Sequence, residues 1–256
     1  MNQKDKPLIL ITNDDGIQAK GLRALIDAVR PLGDIIVLAP DRVRSGMSSA
    51  ITAYIPIRLS IAHVEDGLIE YACTGTPVDC VKLAMNEILD RRPDLLISGI
   101  NHGSNSAVCV IYSGTMGAAL EGSLFGIPSF GISLAGSRPY ENFSNAAYYA
   151  HIIAAQILTE GLPPRICLNV NVPDLSKIKG MKICSQTEGQ WTGEFVKAQD
   201  PFGKDIYWLT GAFHNAQPHD TTTDEWALNN GYVAIVPCTV DMTSYETMSK
   251  LKHWEV

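Results

Sequence analysis

Short apolar segments alternate with amphipathic segments through the first two-thirds of the chain. Continuous apolar, β-branched runs bounded by Gly, Pro or Asn are typical of strands buried on both faces. Segments with an apolar residue every three or four positions are typical of helices. The pattern predicts strands over 8–13, 34–40, 51–60, 68–73, 94–100, 127–134 and 165–173, and helices over 19–33, 76–90, 113–126 and 142–160. This alternation predicts an α/β fold, with a mostly parallel sheet covered by helices on both faces.

The pattern changes after Pro173. Residues 180–223 mix polar residues with large aromatic ones and show no helical period, so they are predicted to form extended hairpins. A strand over 231–237 and a helix over 244–254 are predicted to close the chain. We therefore expect a catalytic core over 1–178 and a C-terminal extension over 179–256.

The hairpin region bears on assembly. Its six large aromatic residues are Trp191, Phe195, Phe202, Tyr207, Trp208 and Phe213. Exposed on a monomer, they would form a larger apolar patch than soluble monomers usually tolerate, so packing against a second copy is expected. The alternative is that the segment folds back over its own core and the protein is a monomer.

Hard oxygen ligands follow three of the predicted strands. Asp14 and Asp15 come directly after the first strand, Ser45 lies in the loop after the second, and Asn101 follows the strand over 94–100. Ligands bind outside the carboxyl ends of strands in an open parallel sheet, and such oxygens suit Mg²⁺ or Mn²⁺. A divalent cation would also neutralise the two adjacent carboxylates. The alternative for Asp14 is an N-cap of the following helix, but one cap explains only one of the two carboxylates.

A second candidate site is the start of the helix over 113–126. Ser113, Gly114 and Thr115 stand where a loop enters this helix, and small residues there leave the first backbone N–H groups available to a phosphate. Asn101, on the same predicted edge, is assigned to the phosphate site as well as to the metal site. The alternative is plain capping of a core helix by Ser113 or Thr115.

Composition narrows the function classes. The net charge of -7 speaks against a nucleic-acid polymer or an anionic membrane as partner, because both require a basic surface. No apolar run approaches the ~20 residues of a spanning helix, and the N-terminus does not resemble a signal peptide. None of the 6 cysteines forms a C-x-x-C pair, which indicates reduced thiols rather than zinc ligands or disulfides. The cytoplasm is the expected location.

Several common phosphate-handling motifs are absent from the sequence. There is no G-x-x-x-x-G-K-[ST] and no G-x-G-x-x-G after the first strand, which excludes a Walker-type triphosphatase and argues against a dinucleotide site. A phosphatase of the haloacid-dehalogenase type needs D-x-D, whereas Asp14 and Asp15 are adjacent.

Several ordered motifs together resemble the SurE family of stationary-phase survival proteins, which are metal-dependent 5′/3′-nucleotidases. They include ILITNDDGIQAKG, VLAPDRVRSGMSSAIT, CTGTPVDCVKLA, DLLISGINHGSN, YSGTMGAALEG, LNVNVP and GYVAIVPCTVDMT. The resemblance implies a Rossmann-like core, one divalent metal ion per subunit held by Asp14, Asp15, Ser45 and Asn101, and hydrolysis of nucleoside monophosphates. It also implies a homodimer or homotetramer built through the C-terminal extension.

The expected activity is therefore that of a phosphomonoesterase acting on nucleoside 5′- or 3′-monophosphates. One of Asp14 and Asp15 would anchor the metal, and the other would orient or deprotonate the nucleophile, or attack phosphorus directly. Ser113, Gly114 and Thr115 would stabilise charge on the phosphoryl oxygens. The alternative is a metal- and nucleotide-binding sensor without turnover, but its expected signature, loss of one carboxylate or of Asn101, is not found.

Overall fold

A computed structural model describes residues 6–136 and 142–255 of the chain. A nine-stranded sheet forms the centre of the molecule, and two small hairpins stand apart from it. The strands are β1 (Leu8–Thr12), β2 (Asp34–Pro40), β3 (Leu59–Glu65), β4 (Leu68–Cys73), β5 (Leu95–His102), β6 (Ser129–Ala135), β7 (Ile166–Pro173), β8 (Met181–Ile183), β9 (Gly189–Thr192), β10 (Phe195–Gln199), β11 (Asp205–Leu209), β12 (Ala212–Asn215) and β13 (Val233–Thr239).

The α-helices follow the predicted pattern in the first two-thirds of the chain. They are α1 (Lys20–Val29), α2 (Pro77–Leu83), α3 (Gly114–Leu124), α4 (Ser144–Glu160), α5 (Asp224–Asn229) and α6 (Tyr245–Lys250). Short 3₁₀ turns cover Arg30–Leu32, Ala107–Tyr112 and Leu251–Trp254, and a wider π turn covers Ala84–Ile88. None of the helices in the described ranges is long and apolar enough to cross a membrane.

The order of strands in the sheet is β3-β4-β2-β1-β5-β6-β7-β13-β8. The pairs from β4 through β7 are all parallel, whereas β3 runs antiparallel to β4, and β13 runs antiparallel to β7. The predicted α/β fold with a mostly parallel sheet is confirmed. Consecutive strands of such a sheet end at the same edge, which brings distant parts of the chain together there.

Both faces of the sheet are covered, which explains why its strands are apolar throughout. In β1, Ile9 and Ile11 belong to the core that includes residues of α1 and α4, and Leu10 belongs to the core that includes residues of α2 and α3. Successive side chains of a strand point to opposite faces. Each fully buried Leu or Ile contributes about 1.5–3 kcal/mol relative to exposure, so neither face tolerates a polar residue without a partner.

The strand predicted over 51–60 is wrong for its first eight residues, because β3 begins only at Leu59. Residues 50–52 are held by the start of α2 instead. Thr52 N and Oγ1 donate to Asp79, and Thr76 Oγ1 donates to Ala50 O. These hydrogen bonds give side-chain partners to backbone groups that would otherwise need a neighbouring strand.

Two further predicted bounds differ from the structure. The helix predicted over 76–90 is α-helical only to Leu83, with Thr76 as its N-cap and Pro77 as its first residue. The strand predicted over 94–100 runs to His102, so Asn101 lies in β5 rather than in a loop.

The C-terminal extension forms hairpins as predicted and also completes the central sheet. β10 and β11 form an antiparallel hairpin, and β9 and β12, which flank this hairpin in the chain, also pair antiparallel. β13 returns to pair with β7, and β8 pairs with β13. β8 and α5 have no counterpart among the predicted elements, because each is too short to show a period.

A buried ion pair ties α1 to β4 and generates a stability prediction. Arg23 donates from both guanidinium nitrogens to the two oxygens of Glu70, each at 2.7 Å, and Glu70 is 2% exposed. Arg23→Leu leaves this carboxylate buried without its partner and should cost about 1–3 kcal/mol in urea denaturation, since Arg23 itself is half-exposed. The matched control is Arg30→Leu, which breaks the exposed contact with Glu65 and should cost less than about 1 kcal/mol. Equal losses in the two variants would contradict the prediction.

Candidate active site

The predicted site residues converge on one edge of the sheet. β2, β1 and β5 are neighbours and parallel, so Asp14, Asp15, the Ser45 loop and the end of β5 all lie at their carboxyl ends. The N-terminus of α3 reaches the same edge, because the Thr115 hydroxyl hydrogen-bonds to Asp14. The site is assembled from segments up to about a hundred residues apart in sequence.

Asp14 is the most deeply buried of the four predicted metal ligands, with 4% of its surface exposed. Thr115 Oγ1 donates to its Oδ1 at 2.6 Å. Burial raises the pKa of Asp14 to about 6, the charge of Asp15 adds to the rise, and the hydrogen bond from Thr115 opposes it. Hydrogen bonding by the protein therefore compensates only in part for the burial of this carboxylate.

The structure excludes the capping role considered for Asp14. The N-cap of α1 is Ala19, which makes no side-chain cap hydrogen bond. The adjacent Asn13 instead closes the turn after β1: its Nδ2 donates to Gly16 O at 2.9 Å, and its Oδ1 accepts from Gly16 N at 3.2 Å. Both aspartates are thus available for a role other than capping.

Asp15 is less buried than Asp14 and meets the end of β5. Its Oδ2 accepts a hydrogen bond from His102 N at 3.1 Å. The backbone N–H of His102 thereby orients Asp15. Beside it, Asn101 Nδ2 donates to Gly103 O at 2.8 Å, which leaves Oδ1 as the atom suited to a cation. The register of β5 against β6 shifts between Ser98 and Asn101, an irregularity of the kind that re-aims side chains next to active sites.

The loop that carries Ser45 is held by hydrogen bonds on both sides of Ser45. It is Arg44, not the exposed Ser45, that bonds to Asp14, through Arg44 N and Asp14 O at 2.7 Å. Further along, Ser48 N donates to Tyr112 O, and Ser48 Oγ donates to Ile111 O at 2.7 Å. A Cβ at Gly117 would lie 2.4 Å from Ser48 O, so glycine is required there for the loop to rest on α3.

Ser113, Gly114 and Thr115 have different roles at the start of α3. Ser113 is the N-cap, and its Oγ accepts from Met116 N at 3.0 Å, which confirms the capping alternative for Ser113. Thr115 is not a cap, because its hydroxyl donates to Asp14. A Cβ at Gly114 would lie 3.0 Å from Asp14 Cβ, so a larger residue would push the carboxylate away. The first N–H groups of the helix, at Gly114 and Thr115, have no intrahelical acceptor and suit an anion.

Comparisons with known proteins show the family of the chain. The family model described as "Survival protein SurE" matches residues 9–193. The chain belongs to the SurE family. Relatives named 5′-nucleotidase SurE include one from Bacteroides fragilis, 51% identical over 99% of this chain and 100% of its own, and one from Phocaeicola vulgatus, 50% identical over 99% of each. The crystal structure of the SurE protein from Aquifex aeolicus has a TM-score of 0.84 and 37% identity, covering 98% of this chain and 100% of its own.

A buried polar network beside the site of this SurE-family chain was missed by the sequence analysis. It joins the loop after β5 to β6 and β7, and its members are Ser104, Asn105, Ser133, Asn169 and Asn171. The signal was present in LNVNVP, where two asparagines interrupt an otherwise apolar buried strand. Buried amides in such a strand indicate a fully bonded network, and here it fixes the backbone at Asn105.

The residues present fit a divalent cation of the hard type. Asp14 and Asp15 supply carboxylate oxygens and Asn101 Oδ1 supplies an amide oxygen, all at one edge of the sheet. In the described part of the chain, no three His, Cys, Asp or Glu side chains gather as a metal site, and all six cysteines are free thiols. The donor set therefore favours Mg²⁺ or Mn²⁺ over zinc.

The burial of Asp14 predicts the pH dependence of stability in chelator. The neutral form is favoured in the folded protein, so its stabilisation is complete below the unfolded pKa of about 3.9 and is lost as the pH rises through about 6. Asp14→Asn stays neutral and still accepts from Thr115. It should be more stable than the native chain by about 1–3 kcal/mol at pH 8, and by less at pH 5.

Urea denaturation in EDTA at both pH values measures this difference. The control is Asp34→Asn, which alters an exposed carboxylate paired with Lys6 at the start of β2 and should show no such pH dependence. A destabilised Asp14→Asn protein at pH 8 would mean that the carboxylate supports the fold.

Proposed function

We propose that this protein is a metal-dependent phosphomonoesterase that hydrolyses nucleoside 5′-monophosphates, and also 3′-monophosphates, to nucleoside and inorganic phosphate. The observation that carries the proposal is the contact of Asp14 with Gly114 and Thr115. Through this contact Asp14 lies against the N-terminus of α3, which supports a cation site next to an anion site. The relatives named 5′-nucleotidase support the nucleoside monophosphate as substrate.

One divalent cation per subunit, Mg²⁺ or Mn²⁺, would be held by Asp14, Asp15, Asn101 and Ser45. When bound, such a cation supplies polarisation of a phosphoryl oxygen and a lower pKa for water. The Ser45 hydroxyl is the least constrained of the four proposed ligands, since Ser45 is exposed. Its loop is nevertheless anchored on either side, at Arg44 and at Ser48.

The phosphate would be bound by backbone groups and not by a basic patch. The N–H groups of Gly114 and Thr115 are directed out of the start of α3, where the helix dipole favours negative charge. Asn101 stands beside the cation and the phosphate alike. Donors that are already oriented before the reaction stabilise the charge on the phosphoryl oxygens without reorganisation.

The two carboxylates divide the remaining tasks. One anchors the cation, and the other orients or deprotonates the nucleophile, with direct attack by a carboxylate as the alternative route. The Thr115 hydroxyl and the His102 N–H hold Asp14 and Asp15 in fixed orientations for these tasks. Groups held in one rotamer keep the attacking atom in line with the leaving oxygen.

We further propose that residues 1–178 are the catalytic core and residues 179–256 the unit of assembly, and that the protein acts in the cytoplasm. The extension exposes apolar side chains on both of its projecting parts. Phe195, Phe202, Tyr207 and Trp208 of the β10–β11 hairpin are all more than half exposed. Met242, Tyr245, Met248 and Trp254 around α6 are at least half exposed too. A homodimer or homotetramer would cover these surfaces.

The activity is tested by phosphate release from a panel of 5′- and 3′-nucleotides, with Mn²⁺ or Mg²⁺ and after exhaustive chelation. Activity should depend on added metal. Asp14→Asn and Asp15→Asn should each lower kcat/KM by about 100-fold or more, because each removes a charge that acts on the reacting groups. Asp34→Asn is the control and should retain native turnover. Full activity in chelator would contradict metal dependence, and nucleotide binding without turnover would favour the sensor.

The assembly is tested by light scattering at micromolar concentration. A dimer or tetramer should have twice or four times the single-chain mass of 27.8 kDa. Trp208→Lys, which places a charge on the exposed face of the hairpin, should shift the mass towards the monomer by weakening apolar burial. Lys204→Ala, an exposed polar change in the same hairpin turn, is the control. A native mass near 27.8 kDa would rule out the oligomer.

A further inference from the structure

One continuous segment, residues 101–115, carries both halves of the proposed phosphate site. Asn101 lies at its start, and Ser113, Gly114 and Thr115 lie at its end. We refer to it as the 101–115 segment. Since the two ends must face the same phosphate, whatever holds the middle of the segment sets the distance between them.

The middle of the 101–115 segment is held by Asp224, the first residue of α5. Asp224 has no exposed surface, and its Oδ2 accepts from Ala107 N at 2.8 Å. Ala107 has a φ of 50°, in the left-handed region that non-glycine residues rarely adopt, so it depends on its surroundings to stay there. The other oxygen of Asp224 accepts from Thr187 N at 3.0 Å, from Thr187 Oγ1 and from Glu225 N at 2.8 Å.

A second acidic residue, Glu225, binds the neighbouring position of the segment, Ser106. Ser106 Oγ donates to Glu225 Oε1, so two adjacent carboxylates of α5 bind two adjacent residues of the segment. On the opposite side, Asn105 N donates to Asn171 Oδ1 at 2.8 Å, and Asn169 Nδ2 donates to Asn105 O at 2.8 Å. Residues 105–107 are therefore clamped between β7 and the C-terminal extension.

The clamped position leads directly to the catalytic groups. The 3₁₀ turn Ala107–Tyr112 begins at the residue that Asp224 holds and ends at the N-cap of α3. The last two carbonyls of this turn accept the hydrogen bonds from Ser48 that anchor the Ser45 loop. A shift at Ala107 would move the N-terminus of α3 and release the loop in the same step.

We propose that Asp224 is a positioning residue for phosphomonoester hydrolysis, which sets the N-terminus of α3 and the Ser45 loop against Asn101 by holding Ala107. This inference rests on the proposed function. Asp224 touches neither cation nor phosphate; it acts through Ala107. It also makes the C-terminal extension, which carries Asp224, a required part of a competent site.

The variant Asp224→Asn separates positioning from general support. Its amide oxygen can keep the bonds from Thr187 and Glu225, but its NH₂ group would then face Ala107 N–H, and two donors cannot bond to each other. The contact with the 101–115 segment is lost while the shape is kept. The matched control is Thr187→Val, which removes a hydrogen bond from the other oxygen of the same carboxylate and leaves Ala107 bound.

Two measurements on the full-length chain are compared at a temperature where all proteins are fully folded. In phosphate release, Asp224→Asn should lower kcat/KM by about 10- to 100-fold, mainly through kcat, because the displaced groups act on charge that develops in the transition state. Thr187→Val should lower the melting temperature and leave kcat near native. In hydrogen–deuterium exchange, peptides covering 107–116 should exchange faster in Asp224→Asn and not in Thr187→Val.

Native kcat and KM in Asp224→Asn would overturn the proposal, as would exchange that rises only around 185–187 and 224–229. So would an equal loss of kcat in the two variants. If Asp224→Asn does not fold, Ser106→Ala decides, because it removes the neighbouring link to Glu225, together with the contact between Ser106 Oγ and Ser104 Oγ, and leaves Asp224 bound to Ala107. It should lower kcat by at least about 3-fold and speed exchange over 104–112, and native values there would overturn the proposal.

Failure of the proposed function is recognised separately. A native chain without phosphatase activity on any nucleotide would remove the kinetic comparison and the hydrolytic role together. Exchange over 107–116 would then still show whether Asp224 sets the N-terminus of α3, and unchanged exchange there would overturn the positioning role as well.

Discussion

The hydrogen bond from Thr115 to Asp14 is the contact on which the rest of the site depends. It joins the end of the first strand to the start of a helix about a hundred residues later, in a place with almost no exposed surface. Gly114 allows this approach because its missing side chain leaves room for the carboxylate. Burial raises the pKa of Asp14, and the hydrogen bond from Thr115 opposes that rise. The same packing arrangement would bring the proposed cation site and the proposed phosphate site together.

This arrangement explains how an acidic chain with a net charge of -7 can handle a phosphate ester. A basic patch would attract nucleic-acid polymers and other polyanions as readily as a small substrate. Backbone N–H groups at a helix N-terminus provide local positive potential without long-range attraction. The cation of the proposed function would add its charge only within the site.

The C-terminal extension has two physical roles in the structure. β13 lies antiparallel to β7 and β8 lies beside β13, so the extension continues the central sheet beyond β7. Asp224 and Glu225 then reach from α5 to the loop that follows β5. The β10–β11 hairpin and α6 carry exposed apolar side chains. If the proposed assembly covers these side chains, one segment would serve both the core and the interface between subunits.

The sequence by itself determined the fold class and the edge of the sheet on which the site lies. Continuous apolar runs such as LILIT can be buried only between two layers of helices, and parallel strands end on a common side. Asp14, Asp15, Ser45 and Asn101 follow such strands and are therefore expected at one edge of the sheet, whereas Ser113–Thr115 are a separate candidate site at the start of a helix. Local rules were also sufficient for the cap at Thr76, because a capping box lies within four residues of chain.

Only the tertiary structure decided which neighbour each of these groups meets. Asp14 could have capped a helix, Thr115 could have capped another, and residues 51–58 could have formed a strand. In each case a partner distant in sequence offered a better hydrogen bond: Thr115 for Asp14, and Asp79 for Thr52. Asp224 gave no local signal, since the residue that it holds is 117 positions away. Periodicity and capping rules describe interactions within a few residues, whereas a buried polar group takes the partner that the whole packing brings to it.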